Sequence, residues 1–257
     1  MAEIDPQSVV HPEARIGEGV RIGPFCTVGP QVTLGKGTEL KSHVVVDGNT
    51  EIGEDCVLWP FASVGTQSQD LKFAGGSPGV RIGDRTTLRE YVTVNAATAD
   101  GDLTVVGNDC HIMAYSHVAH DCRVGDEVIL ANAATLAGHV IVEDQAIIGG
   151  LSGVHQFVTV GKLSITGGCS KVVQDIPPFM TADGNPLKIR GINKVGLERH
   201  GASAATIKAL RTLYKFLYRE KMSVQEWLEA SEAQVERLPE VDHLESFVKR
   251  SERGITR

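Results

Sequence analysis

The residues in this chain best suited to moving a proton are histidines. Five of them, at 111, 117, 120, 139 and 155, fall in one stretch together with Asp121, Gly138 and Gln156. His120, Gly138 and Gln156 are spaced by eighteen residues, and His139 follows Asp121 by the same step. If one turn of the chain takes eighteen residues, these groups stack. One outer column then carries an imidazole, a residue without a side chain and an amide, with a carboxylate and a second imidazole alongside. An imidazole beside an open backbone N–H suits acyl transfer. The ring takes a proton from an attacking hydroxyl, and the N–H receives the developing oxyanion. Adjacent strand residues point apart, so only a loose pairing of Asp121 with His120 is expected. The column has no Ser–His pair, and the chain has no G-x-S-x-G, Walker loop or dinucleotide fingerprint, so direct transfer fits better than a covalent intermediate.

The eighteen-residue turn follows from a six-residue clock. Stepping by six from Ile4 to Val172 visits 29 positions, and 25 are Val, Ile or Leu. The misses are Asp70, Gly76, Asp100 and Thr166. Glycine follows the clock residue at positions such as 17, 35, 53, 107, 125 and 161, which suits a sharp turn. Two residues before it stand small or β-branched side chains, among them Cys26, Cys56, Cys110 and Cys122. Two inward positions per hexad, three hexads per turn, describe a parallel β-helix of hexapeptide repeats. A period of six excludes an α-helix. With Val118 and Ser116 inward, His117 and His120 face outward or sit at a corner, as do His139 and His155. The bland alternative, idle surface histidines, weakens as five of them gather within three coils. The clock breaks over 66–80 and 95–104, and loops that leave a regular solenoid commonly carry function.

After Val172 the pattern changes, with Pro177-Pro178 and Asn185-Pro186, and apolar spacing becomes helical from Ser203. Ser223 and Glu226 form a capping box, and a further helix is expected over 239–252. The expected organisation is a β-helix domain over 1–186 and a C-terminal helical domain over 187–257 that covers the last coil.

Composition agrees. In 257 residues there are 28 glycines and only 5% aromatics, so the core is a thin aliphatic stack. A net charge of −7 argues against a nucleic-acid binder, and no stretch is apolar enough to span a membrane. Met1 to Pro6 shows no signal peptide, and five cysteines without a C-x-x-C read as reduced thiols, so a cytoplasmic location is expected.

The chain resembles the acyl-acyl-carrier-protein:UDP-N-acetylglucosamine O-acyltransferases, which begin lipid A synthesis. The likeness runs over essentially the whole length and rests on Gln69-Asp70-Leu71-Lys72, His117-Val118-Ala119-His120-Asp121-Cys122, Leu136-Ala137-Gly138-His139, Val154-His155-Gln156-Phe157 and Gly167-Gly168-Cys169-Ser170. The resemblance implies a left-handed helix and a homotrimer with active sites between subunits. It implies His120 as general base on the sugar 3-hydroxyl, assisted by Asp121, with the Gly138 N–H as oxyanion donor. Asp70 and Lys72 would hold the sugar and phosphates from across the interface. His117, His139, His155 and Gln156 would line the substrate path, and Asn193 and Arg199 would bind the nucleotide. No metal or other cofactor is implied; the co-substrate is the phosphopantetheine thioester of acyl carrier protein. Gly168, with Ile165, would leave the acyl groove long enough for a medium-to-long 3-hydroxyacyl chain.

The sequence departs from the family at Val195, where Glu is usual, and at His200, where a second Arg is usual. Val94-Asn95-Ala96-Ala97-Thr98 also replaces a His-Arg-Gly run. The last change raises a 3-amino analogue of the sugar as an alternative acceptor. Two rivals lie further off. A γ-type carbonic anhydrase would recruit His117, His120 and His139 for zinc. An inert hexapeptide scaffold would show no acyl transfer. A relative acting later in the pathway carries an extra N-terminal domain, for which hexads starting at Ile4 leave no expected room.

Overall fold

The computed structural model describes all 257 residues. Residues 1–172 wind into a three-sided prism of short parallel strands, most of them two residues long. Every third strand pairs: Glu3–Ile4 lies on Arg21–Ile22, which lies on Glu39–Leu40, and so on along the axis. The result is three sheets of eleven, nine and eight strands, a left-handed parallel β-helix. Val118 pairs with Leu136 and Leu136 with Val154, so residues eighteen apart do stack.

The clock aliphatics fill the prism. Leu40, Leu58, Leu88, Ile112, Leu130 and Ile148 are each at most 1% exposed. Cys26, Cys56, Cys110 and Cys122 occupy the second inward position as free, buried thiols. Burial pushes the thiols of Cys56 and Cys110 up to about 11 and that of Cys122 to about 12, so they serve as small packing groups, not nucleophiles.

The sharp turn does not fall where the sequence suggests. The residue three past the clock position, such as Asp121 (φ 61°) or His139 (φ 60°), takes the left-handed backbone. The glycine that follows the clock aliphatic is needed for close approach instead. A Cβ on Gly107 would lie 2.6 Å from the Gly125 backbone in the next coil.

The two breaks in the clock are loops that leave the prism at one edge, between the second and third faces. Leu58 pairs with Leu88 and Leu88 with Ile112, steps of thirty and twenty-four residues instead of eighteen. The surplus is twelve and six, so the clock resumes in phase. Asn95, 4% exposed, locks the first loop to the prism: its amide donates to Thr66 Oγ1 and Gln67 O, and its oxygen accepts from Gln69 Nε2. The departure at Asn95-Ala96-Ala97 is therefore buried loop anchoring, and none of the three side chains is exposed.

Met180–Asp183 continues the first face, and Lys188–Ile192 pairs with it antiparallel. The boundary expected at 186/187 falls in the turn of this hairpin, so residues 188–192 belong by pairing to the prism. Four α-helices follow: α1 (Lys194–Arg199), α2 (Ala204–Tyr214), which runs on into a π-helical turn over Lys215–Arg219, α3 (Val224–Gln234) and α4 (Pro239–Arg250). Ser203 caps α2, and Ser223 with Glu226 forms the expected capping box on α3. The sequence reading missed α1, whose six residues are too few for a periodic signal. No helix is long and apolar enough to cross a membrane.

Glu143 on the prism clamps α4. Its carboxylate accepts from His243 Nε2 at 2.8 Å and from the Lys162 N–H at 2.8 Å, and it pairs with Arg250. Burial alone would raise the Glu143 pKa, but the bonds from His243 and Lys162 outweigh it and leave it below the ordinary 4.5. A depressed carboxyl contributes stability in full above the unfolded value and loses it as pH falls through the folded value. Glu143→Gln should therefore cost about 1–3 kcal/mol at neutral pH. It should also flatten the loss of stability below pH 4.5, measured by chemical denaturation across pH.

Candidate active site

The edge that releases the two loops carries the stacked column in the coils that follow. His120 and Asp121 end the coil above the second loop, Gly138 and His139 the next, and Gln156 and Phe157 the one after. His120 Nδ1 lies 2.8 Å from Asp121 Oδ2. This tight pair contradicts the loose one expected of strand neighbours. The cause is the left-handed turn at Asp121, which swings its side chain to the same side as the imidazole. The Asp121 N–H donates to the buried Thr104 Oγ1 at 2.8 Å, which holds the turn.

Burial pushes the Asp121 carboxyl up, but hydrogen bonds from His120 and Thr98 more than offset this and hold it below the usual carboxylate range. A carboxylate at Nδ1 fixes the tautomer: Nδ1 carries the proton and Nε2 is free to accept one. That Nε2 lies over Gly138. A Cβ built on Gly138 would stand 2.5 Å from it, so only glycine leaves the ring in place. The Gly138 amide is buried and makes no hydrogen bond within the chain, although the amides of Ala137 and His139 on either side are both engaged. An unspent donor beneath a proton acceptor is the arrangement acyl transfer requires.

His139 borders the pair. Its ring meets that of His120 edge-on at 5.3 Å, stacks on Phe157 at 4.6 Å, and brings Nε2 to 3.7 Å from Asp121 Oδ2. Ligand atoms of His120, Asp121 and His139 lie within 4.8 Å of one another, the donor set that could hold a divalent ion. His117 does not join them, so the three-imidazole zinc site weighed above is not assembled. Its Nδ1 is bonded to Thr93 Oγ1 at 2.7 Å, and burial, then the nearby His120, lower its pKa and keep it neutral. His155 and Gln156 are exposed one coil further along. Beyond His139 and Phe157 a groove of about 670 Å³ runs to Arg250 and Arg253.

The other sequence candidates lie apart from this cluster. Asp70 and Lys72 sit on the first loop, where the Asp70 carboxylate accepts the Lys72 N–H at 2.9 Å and Leu71 stands fully exposed. Asn193 caps α1: its oxygen accepts from the Gly196 N–H and its amide donates to Leu163 O at 2.9 Å. That fastens α1 to a different edge of the prism, between the third and first faces. Arg199, Val195 and His200 are exposed beside it, and His200 borders a cleft of about 920 Å³. Within one chain, Arg199 and His120 are on separate edges. Gly168 is exposed, although a Cβ there would lie 3.3 Å from Gly150 O, and Ile165 faces outward on the first sheet.

Sequence reasoning missed Thr93, Thr98 and Thr104. Thr104 had a usable signal, a hydroxyl at an inward clock position; Thr98 lay in a broken segment, where no register says which way a side chain points.

Comparison with known proteins bears on the chain as a whole. The model for "Udp N-acetylglucosamine O-acyltransferase; Domain 2" matches residues 175–256, and hexapeptide-transferase repeats match 13–48 and 103–138. LpxA from Acinetobacter baumannii superposes with a TM-score of 0.95 at 40% identity, covering 99% of each chain. LpxA from Bacteroides fragilis, titled a UDP-N-acetylglucosamine acyltransferase, gives 0.96 at 36% identity over 99% of this chain and 100% of its own. Another relative, the acyl-[acyl-carrier-protein]–UDP-N-acetylglucosamine O-acyltransferase of Thermodesulfovibrio yellowstonii, is 46% identical over the full length of both chains. With identity of that order spread across prism and helices alike, the chain belongs to the acyl-[acyl-carrier-protein]–UDP-N-acetylglucosamine O-acyltransferase family.

Proposed function

We propose that the protein transfers an (R)-3-hydroxyacyl group from acyl carrier protein to the 3-hydroxyl of UDP-N-acetylglucosamine, the first step of lipid A synthesis. The observation that carries this reading is His120 Nε2 poised over the unspent Gly138 amide. Nε2 takes the proton of the sugar hydroxyl as its oxygen attacks the thioester carbon. The carbonyl oxygen becomes the oxyanion and accepts the Gly138 N–H. Asp121 stabilises the imidazolium formed meanwhile. Collapse breaks the C–S bond, and the departing pantetheine thiolate takes the proton from His120. No metal or other cofactor enters these steps.

The completed site needs more than one copy of the chain. Asp70 and Lys72 reach across to a neighbour's sugar and phosphates, and Arg199 supplies a fork of donors for the diphosphate. Asn193 contributes by fixing α1, since its own amide is committed. His117, His139, His155 and Gln156 line the path of sugar, acyl chain and pantetheine. An apolar seam supports a homotrimer: Phe25, His43, Phe61, Tyr91 and Tyr115 stack ring on ring at 4.8–4.9 Å along one edge, and its four Phe and Tyr rings are 44–62% exposed. Residues 1–186 together with the paired strand 188–192 form the acyltransferase domain, and the helices that follow cover the last coil and hold the nucleotide. Free thiols throughout suit the cytoplasm.

The test is incubation with 3-hydroxyacyl carrier proteins and either UDP-N-acetylglucosamine or its 3-amino analogue, with products read by mass spectrometry. An ester on the 3-hydroxyl supports the reading, an amide formed from the analogue alone reassigns the acceptor, and no product from either overturns it. Gly168→Met should shift the product profile to shorter acyl chains in the same assay. An unchanged profile would put the ruler elsewhere.

A further inference from the structure

The second loop does more than pack. Thr98 touches both members of the catalytic pair: its Oγ1 lies 3.1 Å from His120 Nδ1, and its N–H donates to Asp121 Oδ1 at 3.3 Å. The same hydroxyl lies 2.9 Å from Ser68 Oγ on the first loop. Ser68 is 4% exposed, and its oxygen accepts the Asp70 N–H at 3.2 Å. The contacts form an unbroken chain from His120 through Thr98 and Ser68 to the backbone of Asp70. It joins three successive coils at one edge of the prism.

We propose that Thr98 and Ser68 are positioning residues that tie the His120–Asp121 pair to the first loop of the same chain, so that the seating of that loop against the prism sets the orientation of the base. The inference rests on His120 acting as base. With Nδ1–H donated to Asp121, Thr98 Oγ1 is its second acceptor and the Thr98 proton is directed to Ser68 Oγ. This second acceptor limits rotation of the imidazole about its bond to Asp121, which a single hydrogen bond would permit. The Thr98 N–H meanwhile pins the other carboxylate oxygen. Both hydroxyls come from segments outside the repeat, so the prism alone does not supply them.

The test compares Thr98→Val, which keeps the shape and the N–H but loses the hydroxyl, with Thr98→Ser, which keeps the hydroxyl, and with Ser68→Ala. Thr98→Val should lower kcat about 10–50-fold with KM for the sugar nucleotide within about twofold, because the base is misaimed while binding groups stay in place. Thr98→Ser should stay within about threefold of the parent. Ser68→Ala should lower kcat less than Thr98→Val, and the double variant should be no slower than Thr98→Val alone. The His120 Nδ1 proton resonance should be sharp in the parent and in Thr98→Ser, and broadened by exchange in Thr98→Val. If Thr98→Val is as active as the parent while His120→Ala is inactive, the relay is wrong and the base assignment stands. If His120→Ala remains active, the base assignment itself fails. A change confined to KM, or equal losses in Thr98→Ser and Thr98→Val, would reduce Thr98 to a loop anchor and overturn the proposal.

Discussion

Replacing His120 with alanine should lower kcat by about 10²–10⁴-fold, the contribution of a well-placed general base, while leaving KM for the sugar nucleotide nearly unchanged. The imidazole has the three attributes of a base in this structure. Asp121 holds its Nδ1 at 2.8 Å, its Nε2 is free, and its side chain is only 15% exposed. Folding should survive the change, because His120 is not among the inward residues of the prism and contributes no core volume. Circular dichroism and the midpoint of thermal unfolding would verify this. A His120→Ala protein that folds and transfers acyl groups at the parent rate would rule out His120 as the base and with it this mechanism. His120→Gln is a useful companion: it restores hydrogen bonding and bulk but cannot take the proton, so it should be as slow as alanine.

Gly138→Ala should be nearly as damaging, by about 10²-fold or more in kcat, although it removes no functional group. The new Cβ would stand 2.5 Å from His120 Nε2. Atoms do not approach so closely, and the imidazole is the mobile partner, so the ring must swing away from both the amide and the attacking hydroxyl. The Gly138 backbone is outside the left-handed region, so alanine can adopt it and the coil should remain wound. The double variant with His120→Ala distinguishes this cause from general damage. With no ring to displace, the methyl group should cost little beyond the His120→Ala loss. Additive losses would mean that the methyl group disturbs the oxyanion site directly.

How much of this was legible in the sequence depends on the clock. Wherever a position could be counted from Val118 or Leu136, its face and its neighbour one coil away followed from arithmetic. His120, Gly138 and the pairing of Asp121 with His139 were found that way. Three things escaped. Asp121 was expected to point away from His120 because strand alternation was assumed, and the turn residue instead sits in left-handed backbone, where alternation does not hold. The glycines were assigned to turns when they serve close packing between coils, since the two demands select the same residue. Asn95, Thr98 and Ser68 lie off the repeat, and no local rule says that two irregular loops meet, because only the stacking of one coil on another brings them together. The helical part was read from capping residues and apolar spacing, which are local signals, and only the six-residue α1 was too short to register.

A lipid tail laid parallel to the axis would meet the prism as a graduated scale. Adjacent coils are separated by roughly 4.8 Å, whereas an extended hydrocarbon advances by roughly 1.25 Å per carbon, so for a lipid tail laid parallel to the axis one coil corresponds to about four carbons. Gly150 lies one coil from Gly168, whose missing side chain would meet Gly150 O at 3.3 Å. Bulky plugs introduced at these two rungs in turn should therefore trim the accepted tail to lengths about four carbons apart, with no graded series between them.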